Sequence, residues 1–559
     1  MQRPVLSKAT CFLLLLFCLS VGGVHAAERS AIASAHPLAT EAGFETLAAG
    51  GNAFDAAIAV TAALAVVEPT GSGLGGGGFW LLHRAADGYE VMVDGRERAP
   101  LAARRDMFLD AQGKPVPGAS LNGPLAAAIP GVPAALEHLA KRYGRLPLAQ
   151  SLAPALRYAA QGFPVYEHYR YLAKFRIQAL TDFGSAGVFL VKGQVPPVGY
   201  MLRQPELAET LRSIAQDGRA GFYQGPVARR MVDAVRKAGG IWTLKDLASY
   251  SVKERQPVHL RYHDVDITTV ALPSSGGIVM SEALNILEGL PLQKVSALER
   301  KRYIIEAMRR AYHDRARYLG DADYVPVDTS KLTSKAYAAE RRKSIGPRAT
   351  PNQLLSSHPV PTRPKGTDTS HFSIIDAEGN RVAATLSINY PFGSGFMPEG
   401  TGVVLNNEMD DFSIKPGVGN VYGLVGNEAN AIAPGKRPLS SMTPSFFRRG
   451  KQVVVAGTPG GSRIISMVLL AALEYAERRG GPAEWVALPR YHHQYLPDVV
   501  EYEAEAFDDF ERQDMGRLGY KMKPVASGYG NMQIVMKDSA SGEMSAASDP
   551  RGEGLAAVR

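Results

Sequence analysis

A chain of 559 residues with 45% apolar and 21% charged side chains has the profile of a soluble globular protein with an ample core, in one large or several ordinary domains. Its formal charge of +8 comes with no basic run interleaved with aromatics, which excludes a nucleic-acid footprint and leaves a solvated surface. Its only cysteines are Cys11 and Cys18.

In chain order, Arg3 and Lys8 precede an apolar stretch, C-F-L-L-L-L-F-C-L-S-V, and V-H-A ends at Ala26. This is the pattern of a secretory signal peptide cleaved after Ala26. The stretch is too short for a membrane anchor. Its removal takes both cysteines and lowers the formal charge to +6, because Arg3 and Lys8 go with it. Without a thiol, the mature chain has no cysteine nucleophile, thiolate metal site or disulfide.

Residues 30–50 and 52–67 read as two helices, the second capped by Asn52 and stopped by Pro69. Small apolar residues all round the second predict a buried helix. The run G-S-G-L-G-G-G-G-F, residues 71–79, lacks both the G-K-[ST] and the leading strand of a phosphate loop, which favours a tight, crowded turn. Residues 80–96 read as two strands ending in V-D-G-R-E-R-A-P, and residues 130–320 as mostly helical patterns broken by Gly and Pro. Residues 345–368 read as an exposed linker. Strands and turns follow from 369, then a helix at S-R-I-I-S-M-V-L-L-A-A-L-E-Y-A.

The strand pair after the linker is the most specific local prediction. Thr369, His371, Ser373 and Ile375 alternate with Ser370, Phe372 and Ile374. In the next strand Thr385, Ser387 and Asn389 alternate with Val382, Ala384, Leu386 and Ile388. The connection A-E-G favours a three-residue loop with Gly379 at the positive φ of a bulge. Pairing Asp376 with Asn380 then sets His371 opposite Thr385 and Thr369 opposite Ser387, with Asn389 diagonal to both. A one-residue slip would set the polar face against the apolar one. On pattern alone the polar side of such a hairpin faces water.

Further on, L-N-N-E-M-D-D-F places Glu408 and Asp411 three apart, on one face if the turn is helical. Two adjacent carboxylates repel unless a cation lies between them. That cation could be a metal, an arginine or a substrate ammonium. A metal is the weakest option, since no further ligand follows at suitable spacing; an acidic surface patch is what pattern alone favours. Two stretches suggest anion recognition. K-R-P-L-S-S (436–441) joins basic residues to the hydroxyls of Ser440 and Ser441, and G-T-P-G-G-S-R (457–463) presents glycine N–H groups ahead of a helix. The adjacent His492 and His493 read as structural.

Taken together, the motifs T-S-H-F-S, L-N-N-E-M-D-D-F-S, P-L-S-S-M-T-P and G-T-P-G-G-S-R-I, in that order, resemble the gamma-glutamyltranspeptidases (glutathione hydrolases) of the N-terminal-nucleophile hydrolase superfamily. The resemblance runs over the mature chain, from A-G-G-N-A-F-D-A-A-I-A-V to A-S-D-P-R. It implies an α+β fold, a four-layer αββα sandwich, and an inactive precursor that cleaves itself between Asp368 and Thr369 into a large subunit, 27–368, and a small one, 369–559. It implies Thr369 as nucleophile and base through its freed amine, Ser387 as a supporting hydroxyl where the family usually has threonine, and Gly460 and Gly461 as oxyanion donors. Arg96, Ser440 and Ser441 would hold the substrate α-carboxylate; Asn389, Glu408 and Asp411 would hold the α-ammonium. Tyr422 would gate the pocket from the lid segment K-P-G-V-G-N-V-Y-G-L-V-G.

The substrates so implied are glutathione, γ-glutamyl amides and amino-acid or peptide acceptors, with no cofactor or metal, in a secreted or periplasmic setting. One departure concerns the acceptor side: the family's Asn-Thr-Thr is Asn389-Tyr390-Pro391 here. Two alternatives remain at this level, an acylase of the cephalosporin-acylase type and a secreted binder of amino acids or peptides that has lost the reaction.

Overall fold

The structure, a computed structural model, describes residues 29–351 and 369–559. The predicted signal peptide, Asp368 and most of the predicted 345–368 linker lie outside the described residues.

Thirteen strands build two main sheets, numbered here in chain order: β1 Ala31–Ser34, β2 Gly77–Arg84, β3 Tyr89–Gly95, β4 Lys253–Arg255, β5 Val258–Tyr262, β6 Val265–Thr269, β7 Ser370–Ile375, β8 Arg381–Ser387, β9 Ser445–Arg449, β10 Gln452–Gly457, β11 Gln533–Asp538, β12 Glu543–Ser548 and β13 Leu555–Val558. The seven-stranded sheet has the order β13-β1-β7-β8-β2-β3-β4, and the six-stranded one β12-β11-β10-β9-β6-β5. All pairings within them are antiparallel.

Three apolar layers follow from the period of two along these strands. Phe372, Ile374, Val382, Ala384 and Leu386 join one core with helices α1 (Pro37–Ala48), α2 (Ala53–Val67) and α3 (Val132–Arg142). Ile375, Ala383, Phe79 and Leu81 point the other way, meeting Phe446, Val455 and Val535 of the second sheet. The outer face of that sheet, through Ile267, Phe447, Val454 and Ile534, packs under α4 (Gly276–Glu288), α5 (Ala297–Tyr318) and α6 (Ile464–Ala476). The result is the αββα sandwich.

Helix α2 is buried along its whole length, as its composition predicts, and Asn52 caps it with a reciprocal bond to Asp55. Two readings are corrected. Residues 30–50 are not one helix: A-I-A-S is β1, paired on both sides by β7 and β13, and α1 begins at Pro37. The helical region 130–320 also contains β4, β5 and β6. Sheet pairing from distant segments overrides local pattern in both places.

The hairpin β7–β8 has the expected register. The Asp376 and Gly379 amides close the turn onto Asn380 and Asp376, Gly379 has φ +92°, and His371 lies opposite Thr385. Its polar side does not face water. It faces the second sheet, where Ser373 donates to the Gln533 carbonyl and His371 abuts Gly457. A Cβ on Gly457 would collide with the His371 ring, so the close approach requires glycine.

Candidate active site

The open end of β8 and the residue before β7 bring the first pair of groups together. Thr369 Oγ1 and Ser387 Oγ lie 3.3 Å apart, both buried. Ser387 Oγ accepts the Asn389 amide at 2.8 Å, so the hydroxyl hydrogen is free for Thr369. Asn389 sits at φ +74°, a left-handed backbone that asparagine tolerates at modest cost. Its side-chain nitrogen donates to the Asn407 carbonyl at 2.9 Å.

The glycine-rich turn is what backs this pair. A Cβ on Gly76 would lie 2.1 Å from the Ser387 carbonyl oxygen, and one on Gly75 would lie 2.0 Å from that of Val404. Residues 71–76 therefore make the crowded turn the composition predicts, while 77–79 already belong to β2.

Glu408 and Asp411 share a single 3-10 turn, and the cation between them is Arg96. One Arg96 nitrogen donates to Glu408 Oε1 and the other to Asp411 Oδ2 at 2.6 Å, while Nε donates to the Pro438 carbonyl at 3.2 Å. Glu97, not singled out from the sequence, is a third carboxylate at 3.5 Å from the same guanidinium. Burial pushes the Glu97 carboxyl up to about 7 and raises Glu408 well above the ordinary carboxylate range. Burial would depress Arg96, but Glu408, Asp411 and Glu97 together hold it above its ordinary value. Glu408 Oε2 is buried with no hydrogen-bond partner among the described residues.

At the other end, Ser440 Oγ accepts the Met442 amide at 3.1 Å. The basic residues of its own stretch turn away from it. Lys436 donates to the Ala429 and Ala431 carbonyls, and Arg437 to the Ser251 carbonyl. The guanidinium at Ser441 is instead that of Arg315, on α5, 3.2 Å from Ser441 Oγ. No local pattern signals this, because the helix lies over a hundred positions away in sequence.

Gly460 (φ +138°) and Gly461 (φ +57°) lead into a 3-10 turn and α6, as their sequence predicts. Neither amide takes part in a turn or side-chain hydrogen bond among the described residues. The Tyr422 ring rests on Gly461, where a Cβ would come within 2.5 Å of it, and the Tyr422 hydroxyl donates to the Asn389 carbonyl.

Of the residues singled out in the sequence, Thr369, Ser387, Asn389, Arg96, Glu408 and Asp411 line one cavity, joined there by Tyr422, Ser440, Ser441 and Gly461. Gly460 adjoins it through Gly461. The cavity measures about 20 Å³, room for little more than one water. Among the described residues no cluster of three or more His, Asp or Glu is arranged to hold a metal.

His371, His492 and His493 are all buried and hydrogen-bonded. Burial depresses His371 to about 3, so it is neutral between Thr385 and Ser373. His492 binds Ser466 and Gln494, whereas His493 binds Asp498 and the Tyr495 amide.

Residues 39–559 match the family model for gamma-glutamyltranspeptidase. The chain belongs to that family. A glutathione hydrolase proenzyme of Pseudomonas sp. (strain A14) is 41% identical over 503 residues, covering 89% of this chain and 87% of its own. One of Escherichia coli (strain K12) is 40% identical over 538 residues, covering 94% and 91%. Cephalosporin acylase from Bacillus halodurans superposes with a TM-score of 0.84 at 31% identity over 95% of each chain. Helicobacter pylori gamma-glutamyltranspeptidase gives 0.56 at 40% identity, over 58% of this chain and 94% of that one. The fold is thus that of the N-terminal-nucleophile hydrolases, and the family's function is self-processing γ-glutamyl transfer and hydrolysis.

The Tyr390 ring joins Val421 and Tyr422, lies 5.2 Å from the Arg176 guanidinium and meets Phe175 edge-on at 5.8 Å. No helix among the described residues is long and apolar enough to cross a membrane.

Proposed function

We propose that this chain is an exported, self-processing γ-glutamyltransferase and glutathione hydrolase, matured by cleavage between Asp368 and Thr369 and active in the periplasm or outside the cell. The observation that carries the reading is the Thr369–Ser387 hydroxyl pair sharing one cavity with the Arg96–Glu408–Asp411 cluster. The first supports acyl transfer and the second supports recognition of an amino-acid head group.

Maturation begins when Thr369 Oγ1 attacks the Asp368 carbonyl carbon. The acyl group moves from the Thr369 nitrogen to its oxygen, and water hydrolyses the ester, freeing a carboxylate and an α-amine. That amine, with a reference pKa of about 7.7–8.0, takes the proton of its own hydroxyl during catalysis. The oxygen attacks the γ-carbonyl of the donor, and the Gly460 and Gly461 N–H groups stabilise the oxyanion, each donor worth on the order of 2.7–4 kcal/mol. The leaving amine departs with the proton. The γ-glutamyl ester on Thr369 then passes to water or to the amine of an amino acid or peptide.

Glutathione and γ-glutamyl amides are the donors this reading names. Asn389, Glu408 and Asp411 hold their α-ammonium; Arg96, Ser440 and Ser441 hold their α-carboxylate. The cavity of about 20 Å³ is smaller than a donor, and in this reading Tyr422, whose ring rests on Gly461, moves aside to admit it. A second reading, an acylase for other acyl groups, is favoured by the overlap with cephalosporin acylase. Buried charges that such a group would leave unpaired weigh against it.

The test is a denaturing gel of purified protein. Wild type is expected to give two bands and Thr369→Ala a single precursor band, with hydrolysis of γ-glutamyl-p-nitroanilide only in the former. Wild type persisting as one chain after prolonged incubation would rule the reading out.

A further inference from the structure

Helix α5 buries four arginines, Arg302, Arg309, Arg310 and Arg315. Three of them are ion-paired: Arg302 with Glu299 at 2.6 Å, Arg309 with Glu306 at 2.8 Å, and Arg310 with the same Glu306. Arg315 has no carboxylate within ion-pair distance among the described residues. Its hydrogen bonds go to two neutral hydroxyls, from Nε to Ser275 Oγ at 2.9 Å and from Nη2 to Ser441 Oγ at 3.2 Å. It is 5% exposed. Burial lowers it to about 10, against the smaller opposing pulls of Tyr312 and of Asp411, which lies beyond ion-pair distance, and it stays charged at neutral pH.

A buried, unpaired guanidinium is costly, and hydroxyls do not neutralise it. Its place in the last turn of α5, among free carbonyl ends, offsets only a part. On the cavity side of Ser441 the balance is reversed, because the one guanidinium of Arg96 faces Glu97, Glu408 and Asp411. Three carboxylates thus gather on one guanidinium on that side of Ser441, while behind the serines a guanidinium stands with no carboxylate in contact. An α-amino acid head group carries its ammonium and carboxylate with the same polarity.

The hydrogen-bond directions add a second element. Arg315 donates to Ser441 Oγ, so that hydroxyl can give its hydrogen only to another acceptor. Ser440 Oγ is likewise occupied as an acceptor by the Met442 amide. The partner Ser275 donates from both its amide and its hydroxyl to the Ser440 carbonyl, at 2.8 and 2.7 Å. Arg315 thus grips both residues of the dipeptide, Ser441 directly and Ser440 through Ser275.

We propose that Arg315 is a positioning residue that turns Ser440 and Ser441 into paired donors with a positive charge behind them, and so selects donors bearing an α-carboxylate. The proposal rests on the γ-glutamyl reading and extends its recognition site to a helix of the opposite layer. The substrate carboxylate is the counter-ion that Arg315 lacks.

The test compares γ-glutamyl-p-nitroanilide with 4-aminobutyryl-p-nitroanilide, the same donor without its α-carboxylate, on wild type and Arg315→Gln. Self-cleavage on a gel reports that the variant folds. Charge-assisted hydrogen bonds predict that R315Q raises KM for the γ-glutamyl substrate by roughly 10- to 100-fold. It should leave kcat within a few-fold and kcat/KM for the carboxylate-free donor unchanged, and Arg315→Lys should restore part of the difference. An equal loss on both donors, or an unchanged KM, overturns the proposal. If R315Q fails to fold, R315K carries the same comparison: a rise in KM confined to the γ-glutamyl donor supports the role, and an equal loss on both overturns it. A wild type that treats the two donors alike would instead overturn the γ-glutamyl reading itself.

Discussion

Three carboxylates around the Arg96 guanidinium leave the pocket over-supplied with negative charge, and its protonation follows from that excess. Burial raises both Glu97, to about 7, and Glu408, so the cluster holds a proton in the free protein at pH values where ordinary carboxylates are ionised. A substrate ammonium is attracted by the ionised form, so its arrival should expel the proton. The sign is then fixed: as pH falls through about 7 the pocket becomes less negative, and KM for γ-glutamyl-p-nitroanilide should rise. In the proposed mechanism the freed Thr369 amine, of reference pKa about 7.7–8.0, acts in the chemical step, so its loss on protonation belongs to kcat. Steady-state kinetics from pH 5.5 to 8 separates the two. A KM that stays flat over that range would mean that the carboxylates do not meet the ammonium.

The hairpin β7–β8 was legible because two independent signals, a three-residue loop and a period of two, agree on one register. That agreement alone places Thr369 beside Ser387. β1 was not legible, because four residues that run into a helix carry no period of their own. The ion pairing of Arg96 and the approach of Arg315 were hidden for a related reason: each depends on partners brought in from distant elements. The glycine run gave its shape but not its task, which the packing supplies. Gly76 presses on the backbone of Ser387, so Gly76→Ala should push the end of β8 away from Thr369. Losing a partner hydroxyl in a buried site costs about 1–3 kcal/mol, which predicts a fall in kcat of roughly 5- to 100-fold. Self-cleavage should slow in parallel, measured as the rate at which precursor disappears on a gel. A G76A protein with wild-type rates would show that the turn does not position Ser387.

At the scale of the molecule, cleavage before Thr369 would cut a chain whose two parts are woven through both sheets. In the first sheet β7 and β8, which follow the cut, lie between β1 and β2, which precede it, and β13 closes the edge on β1. In the second sheet β9, after the cut, pairs with β6 before it. Separating the parts would break three strand interfaces of the first sheet and one of the second, and would open all three apolar layers. Burial on that scale far outweighs the entropy gained by freeing one partner, so the association needs no covalent link. None is available once the predicted signal peptide, which holds Cys11 and Cys18, is removed. The cleaved protein should therefore run as one species on native size exclusion, with both bands in a constant ratio across the peak, and come apart only in denaturant without any need for reductant. A fragment that elutes alone under native conditions would show that the sheets do not hold the halves together.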